Sequence, residues 1–229
     1  MAAINNAGFW DKVANTPSNY RPNDQVIIGG RLISERAEDL RDKMYSECSS
    51  LDLLARKLFQ TPPKQVLDLG SGIGRNSLPM ACQGAKVTAI DSSRELLEIF
   101  SRKSKVEGCP TENIRLRRGD ITTAKSYGEN FDLVLAVDVL PYLAPKDLKS
   151  TMEKIHQCLA EGGILIGTIF TTDDNKPYLL NELMEKIGVH NYEGNEQFVK
   201  QLLTESKFSA EIIERRQEGG FRFKAKKIS

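Results

Sequence analysis

The stretch Val66-Leu-Asp-Leu-Gly-Ser-Gly-Ile-Gly-Arg-Asn-Ser77 decides how the rest of this chain is read. An apolar run carrying Asp68 leads into Gly70, Ser71, Gly72, Ile73 and Gly74, and a helical pattern opens near Asn76. Glycine lacks Cβ and adopts positive φ freely, so glycines at alternate positions allow a sharp turn and a close approach of backbone to ligand. Free N–H groups at a following helix start turn partial positive charge toward such a ligand. Strand, glycine turn and helix in this order predict a nucleotide-type cofactor site at the carboxyl end of a first parallel strand. The glycine spacing then separates the candidates. A dinucleotide fingerprint G-x-G-x-x-G/A counted from Gly70 needs a small residue at position 75, where this chain has Arg75. No phosphate-binding loop of the form G-x-x-x-x-G-K-S/T occurs anywhere.

Working outward, Lys86-Val-Thr-Ala-Ile90 is a second β-prone run that ends in Asp91, 21 positions after Gly70. An acid at that distance and at a strand tip is placed to accept from both ribose hydroxyls of an adenosine. Ser92 with Glu95 spells a capping box for the next helix, whose apolar residues Leu96, Leu97, Ile99 and Phe100 recur at helical spacing. A third strand, Ile114-Arg-Leu-Arg-Arg118, runs into Gly119-Asp120-Ile121. The fourth, Phe131-Asp-Leu-Val-Leu-Ala-Val137, is nearly continuous in apolar residues, as a strand buried on both faces must be. An amphipathic helix over 148–159 precedes Ala160-Glu-Gly-Gly163, where the glycine pair is expected to close the helix before the strand 164–170. A last helix over 195–205, with Asn195 as cap, is followed by two runs joined through Glu218-Gly-Gly220, which predict a hairpin. The alternation of strands and helices predicts a doubly wound α/β fold with a mostly parallel sheet.

The G-x-G-x-G pattern, with Asp68 two residues ahead of it, resembles the first motif of the class I S-adenosylmethionine-dependent methyltransferases. That resemblance implies a mostly parallel seven-stranded sheet with a C-terminal antiparallel hairpin, and S-adenosyl-L-methionine as cofactor, released as S-adenosyl-L-homocysteine. Cofactor contacts are then expected from Asp68, Gly70, Ser71, Gly72, Gly74, Asn76, Asp91, Ser92 and Val137. The same resemblance gives Asp120 the adenine amino group and Ile121 a backbone donor. It sets the transferable methyl above Asp138-Val-Leu-Pro-Tyr142, making Asp138 and Tyr142 the catalytic candidates for orienting or deprotonating the nucleophile. Many small-molecule members have a histidine near position 141, where Pro141 stands here, and the Asn-Pro-Pro-Tyr motif of amino-methylating DNA enzymes is missing. Gly74-Arg-Asn-Ser-Leu78, the Glu161-Gly-Gly163 turn and Phe221-Arg-Phe223 look like the tellurite-resistance and thiopurine-type small-molecule branch.

Composition bounds the partners. Among 229 residues, 32 lysines and arginines nearly balance 31 acids, so a net charge of +1 sets up no field for nucleic acid or anionic lipid. No stretch reaches the apolar length of a membrane span, and no basic start followed by an apolar core suggests a leader, which points to the cytoplasm. Cys48, Cys82, Cys109 and Cys158 lack metal or redox spacing and are expected as free thiols. Two histidines offer no metal cluster, and His156 is expected to be structural. Residues 1–63 are too few for a second core and are read as an N-terminal helical lid, with a helix over 51–59 and Trp10 and Tyr20 as candidate substrate contacts. The methyltransferase-like domain spans 64–229, and 171–193 is read as a cap insertion offering Tyr178. A small-molecule methyl acceptor is the leading expectation. Protein or RNA methylation and a non-catalytic cofactor-binding regulator stay open, as does the oligomeric state.

Overall fold

The computed structural model describes residues 26–28, 31–33, 63–172, 192, 193, 195–216 and 220–229. The expected sheet is present. Strands β3 (Gln65–Leu69), β4 (Lys86–Asp91), β5 (Ile114–Arg118), β6 (Phe131–Ala136) and β7 (Leu159–Ile169) pair in parallel. Strands β10 (Phe208–Arg215) and β11 (Phe221–Lys227) form the hairpin, and β11 joins β7 antiparallel. The order β10-β11-β7-β6-β3-β4-β5 puts β3 inside, flanked by β4 and β6. Between β3 and β6 the strand order reverses from one side of the sheet to the other, the switch point outside whose carboxyl ends open α/β sheets place their ligands.

Alternation along the central strands feeds two cores. Leu67, Leu69, Ile90 and Val134 point to one face, where α3 (Pro145–Cys158) and α4 (Glu196–Glu205) bring Met152, Ile155, Val199 and Leu203. Val66, Val87, Ala89, Leu133 and Leu135 point to the other, against Leu78 and Ala81 of α1 (Leu78–Cys82) and Phe100 of α2 (Arg94–Val106). Asn195 caps α4 as read from the sequence, accepting from the Gln197 N–H at 2.8 Å.

Several local expectations are corrected. The helix after the glycines starts at Leu78, not near Asn76, and holds five residues, because Pro79 fits only a first turn. Ser93, not Ser92, caps α2, accepting from the Leu96 N–H at 3.1 Å. The third helix runs Pro145–Cys158, and β7 begins at once with Leu159. Glu161, Gly162 and Gly163 therefore lie inside β7, where Gly162 at φ 70° accompanies the irregular register between Phe131 and Leu133, instead of ending a helix. Cys82 and Cys109, expected as free thiols, are joined as a disulfide with Cα atoms 4.5 Å apart. The reason is topological: α1 and α2 run back from the same sheet edge, so their C-terminal ends meet despite a sequence separation of 27.

Of the N-terminal segment, the described residues form an antiparallel pair, β1 (Val26–Ile28) with β2 (Arg31–Ile33). Trp10, Tyr20, Cys48 and the expected helix over 51–59 lie outside the described residues, as does Tyr178. Of the 171–193 segment, β8 (Thr171–Thr172) pairs in parallel with β9 (Tyr192–Glu193). Tyr192 is buried there, stacked on Phe198 with its hydroxyl donating to the Leu143 carbonyl at 2.6 Å, so it seals the fold. His156 is also structural: its Nε2 lies 2.9 Å from the Ile228 carbonyl, and its ring meets Phe208 edge-on. No helix among the described residues is long and apolar enough to cross a membrane.

Candidate functional site

The bend after β3 is built from left-handed glycines, with φ of 65° at Gly70, 53° at Gly72 and 78° at Gly74. Two of them are filled in by neighbours. A Cβ on Gly70 would meet Val139 at 2.5 Å, and one on Gly74 would meet the Phe100 ring at 2.5 Å. Gly72 differs: a Cβ there would find nothing within 4 Å among the described residues, so its backbone borders open space.

The tip of β4 holds this bend in shape. Gly70 and Ser71 both donate their N–H to the Ile90 carbonyl, at 2.8 and 3.2 Å. Asp91, 7% exposed, accepts from the Gly72 N–H through Oδ2 and from the Ser93 N–H through Oδ1, each at 2.8 Å. The N–H groups of the three glycines are spent inside the fold, with that of Gly74 on the Ser71 carbonyl at 2.9 Å. A carboxylate offers about four acceptor sites, so one carboxylate can bond backbone N–H groups and a ligand hydroxyl together. Beneath the bend, Asp68 is buried and accepts from the Ser77 hydroxyl at 2.6 Å. Burial, and secondly the charge of Asp91, push its carboxyl up to about 7.

Two polar atoms of the bend ask for a partner. Ser71 Oγ and Asn76 Oδ1 are both buried and have no hydrogen-bond partner among the described residues. A buried polar atom left unmade costs about 1–3 kcal/mol, a cost that a polar ligand in the crevice removes. The open backbone at Gly72, these two orphaned atoms and the Asp91 carboxylate together fit an adenosine bearing an amino-acid tail.

The neighbouring wall follows β5. Gly119 donates its N–H to the Asp91 carbonyl at 2.9 Å, which draws the 119–122 turn toward the bend. Asp120 is exposed, with Oδ1 accepting from the Thr122 N–H and hydroxyl at 2.8 and 2.7 Å, while Ile121 is buried. Lys154, which sequence reading missed, fixes this turn from α3. Its Nζ donates to the carbonyls of Ile121, Thr122 and Ala124 at 2.9–3.2 Å. Helical spacing marks Lys154 only as a polar position, so no local signal announces the role.

The corner after β6 lies against the bend, since Val139 is what a Cβ on Gly70 would strike. Val137 is buried there, and Asp138 takes φ 54°, a left-handed strain that functional corners often keep. Asp138 is fixed from several sides. Its N–H donates to the buried Thr168 Oγ1 at 2.6 Å, the Thr168 hydroxyl donates back to Oδ1 at 3.0 Å, and Arg216 Nη1 donates to the same Oδ1 at 2.6 Å. The Arg216 guanidinium also lies over the Phe170 ring. Neither Thr168 nor Arg216 was singled out from the sequence, because 30 and 78 positions separate them from Asp138. Burial, and secondly the charge of Asp138, push the Tyr142 phenol well above its ordinary range.

Residues 66–163 match a family model described as a methyltransferase domain. A carboxy-S-adenosyl-L-methionine synthase of Enterobacter sp. (strain 638) is 30% identical over 126 residues, 53% of this chain and 50% of that one. A ubiquinone biosynthesis O-methyltransferase of Rhizobium etli (strain CIAT 652) is 32% identical over 109 residues, 47% of this chain and 42% of that one. The chain spans about half the length of the curated relatives it matches. Among solved structures, the magnesium protoporphyrin IX methyltransferase of Synechocystis PCC 6803 with bound SAH superposes with a TM-score of 0.68 at 17% identity, covering 96% of this chain and 94% of that one. The 1,6-didemethyltoxoflavin-N1-methyltransferase of Burkholderia thailandensis gives 0.63 at 20% identity over 85% and 84%. At these identities the structural likeness is one of fold.

Proposed function

We propose that this chain, a member of the class I S-adenosylmethionine-dependent methyltransferase family through its residues 66–163, transfers a methyl group from S-adenosyl-L-methionine to a small-molecule nucleophile. The observation that carries the reading is the open cradle at Gly72, rimmed by Asp91 and the orphaned Ser71 and Asn76 oxygens, next to the Asp138 corner. Asp91 takes the ribose hydroxyls, Ser71 and Asn76 take polar groups of the bound molecule, and Asp68 lies beneath its amino-acid end. Ser92, Asp120 and Ile121 border the base, and Val137 faces the reacting end. The bound cofactor supplies an activated sulfonium methyl, so the protein contributes position and field.

The corner suits orienting better than proton removal. The Asp138 Oδ1 already accepts from the Thr168 hydroxyl and the Arg216 guanidinium, contacts that hold the side chain in one place. Tyr142, with its phenol held neutral by burial, can donate a hydrogen bond but gives no phenolate base near neutral pH. The acceptor therefore brings an atom that is nucleophilic already, or one that loses its proton readily in water. In-line alignment alone can account for about 7–11 kcal/mol of barrier lowering at best.

A small acceptor is supported by the near balance of charge and by structural neighbours whose names give magnesium protoporphyrin IX and 1,6-didemethyltoxoflavin. A second reading keeps the cofactor and changes the product. Relatives named carboxy-S-adenosyl-L-methionine synthase, together with the Arg216 cation at the corner, favour transfer of a carboxyl group from a carboxylic-acid donor to the sulfonium methyl carbon of S-adenosylmethionine, whose lost proton goes to the donor carbon. Incubation with methyl-labelled S-adenosylmethionine and cell extract split into small-molecule, protein and RNA fractions tests both. Label on a small molecule with S-adenosyl-L-homocysteine released supports the first reading. A heavier, still sulfonium-bearing nucleoside in the mass spectrum supports the second. Label confined to protein or RNA contradicts both, and cofactor binding without any product favours a regulator.

A further inference from the structure

Cys82 and Cys109 stand at the far ends of the two segments that shape the cradle. Cys82 is the last residue of α1, which follows the glycine bend, and Cys109 follows α2, which opens just after Asp91. The disulfide closes a loop of 27 positions that contains Asp91, Ser93 and Phe100. Asp91 binds the Gly72 N–H, Ser93 donates its N–H to Asp91, and the Phe100 ring fills the space beside Gly74. Five residues of helix do not persist unaided, so α1 depends on ties at its end. They include the Asn113 side-chain amide on the Ala81 carbonyl at 3.1 Å, the Ala85 N–H on the Met80 carbonyl at 3.0 Å and the disulfide, of which only the last is covalent. Cys82 is exposed and Cys109 buried, so a small thiol in solution reaches the Cys82 sulfur.

We propose that Cys82–Cys109 is a reversible thiol–disulfide site whose oxidised form holds the cradle in its cofactor-binding shape; this rests on the cofactor reading above. A small-molecule thiolate attacks the Cys82 sulfur, the S–S bond breaks, and Cys109 leaves as a thiolate that takes up a proton. A second small thiol then resolves the mixed disulfide, leaving two protein thiols and one small-molecule disulfide. Oxidation is the reverse exchange, with a small-molecule disulfide as the oxidant. Reduction frees the end of α1, and cofactor binding must then order α1 and the bend again.

The full chain is titrated with S-adenosyl-L-homocysteine by calorimetry, oxidised and then reduced with a phosphine. Chelator is present because Cys82, Glu107 and Cys109 bring two sulfurs and a carboxylate within 4.8 Å of one another. The reduced protein is expected to bind about fivefold or more weakly, and the midpoint of melting to fall by roughly 5–15 °C. Cys82→Ser should bind like the reduced protein and ignore the reductant. Linkage requires the reciprocal effect: in a glutathione redox buffer, saturating S-adenosyl-L-homocysteine makes the bond harder to reduce by the same factor. Equal affinity in both redox states, even with a lower melting point, overturns the switch and leaves the cofactor reading standing. A pair that stays as two free thiols in oxidised glutathione also overturns it. No binding in either state removes the cofactor reading itself.

Discussion

Gly72→Ala and Gly74→Ala separate what the glycine bend does for the fold from what it does for the ligand. Both positions are left-handed, at φ 53° and 78°, so alanine costs each about 1–2 kcal/mol of backbone strain. At Gly74 the added methyl also lands 2.5 Å from the Phe100 ring, which is buried and cannot step aside, adding about 1–3 kcal/mol. At Gly72 the methyl meets nothing within 4 Å among the described residues, so the expected loss is the strain alone. That empty space is where the account puts the cofactor. Urea denaturation should therefore rank the variants with Gly72→Ala the milder, by about 1–3 kcal/mol. Calorimetric titration with S-adenosyl-L-homocysteine should show Gly72→Ala binding more than tenfold more weakly, a loss above about 1.4 kcal/mol. A Gly72→Ala protein that folds well and binds with unchanged affinity would refute the reasoning, since the methyl and the nucleoside cannot share one volume.

Three further outcomes follow from the same geometry. Asp91→Asn keeps one acceptor oxygen but loses the charge that binds both the Gly72 and Ser93 N–H groups, so stability should fall by about 1–3 kcal/mol in a melt and S-adenosyl-L-homocysteine affinity more than tenfold. Asp68 has a folded-state value of about 7 against 3.8 for the free side chain, so between those values the folded chain binds the extra proton and stability drops as pH rises. Asp68→Asn removes that dependence, and the ligand-free variant should gain on the wild type from about pH 4 to pH 8 by up to ~4 kcal/mol in urea titrations; parallel curves would contradict it. Lys154→Met leaves the Ile121, Thr122 and Ala124 carbonyls without their ammonium, so hydrogen exchange over residues 119–124 should speed up while β10 and β11 stay protected.

The sheet was legible because its signals are local. Runs such as Val66–Leu69 and Phe131–Ala136 are apolar at every buried position except Asp68, and Gly70, Gly72 and Gly74 mark a bend built on positive φ. Asp91 stands out as a candidate by its distance from Gly70, yet its hold on the Gly72 N–H does not, because a backbone partner 19 positions away carries no residue code. Arg216, Thr168 and Lys154 were missed for a related reason: topology brings them to the site across 30 to 78 positions. Cys82 and Cys109 fall outside every spacing rule, since their meeting depends on where α1 and α2 end. The cap moved from Ser92 to Ser93 and the glycine pair at 162–163 moved into β7, as element ends are set by packing more than by propensity.

A crystal structure of the full chain grown with S-adenosyl-L-homocysteine tests the central claim most directly. The nucleoside is expected across the open face of Gly72, with both ribose hydroxyls within hydrogen-bond distance of Asp91 and Ser71 Oγ or Asn76 Oδ1 bonded to the ligand. A nucleoside bound elsewhere, or ribose hydroxyls that leave Asp91 untouched, would contradict it.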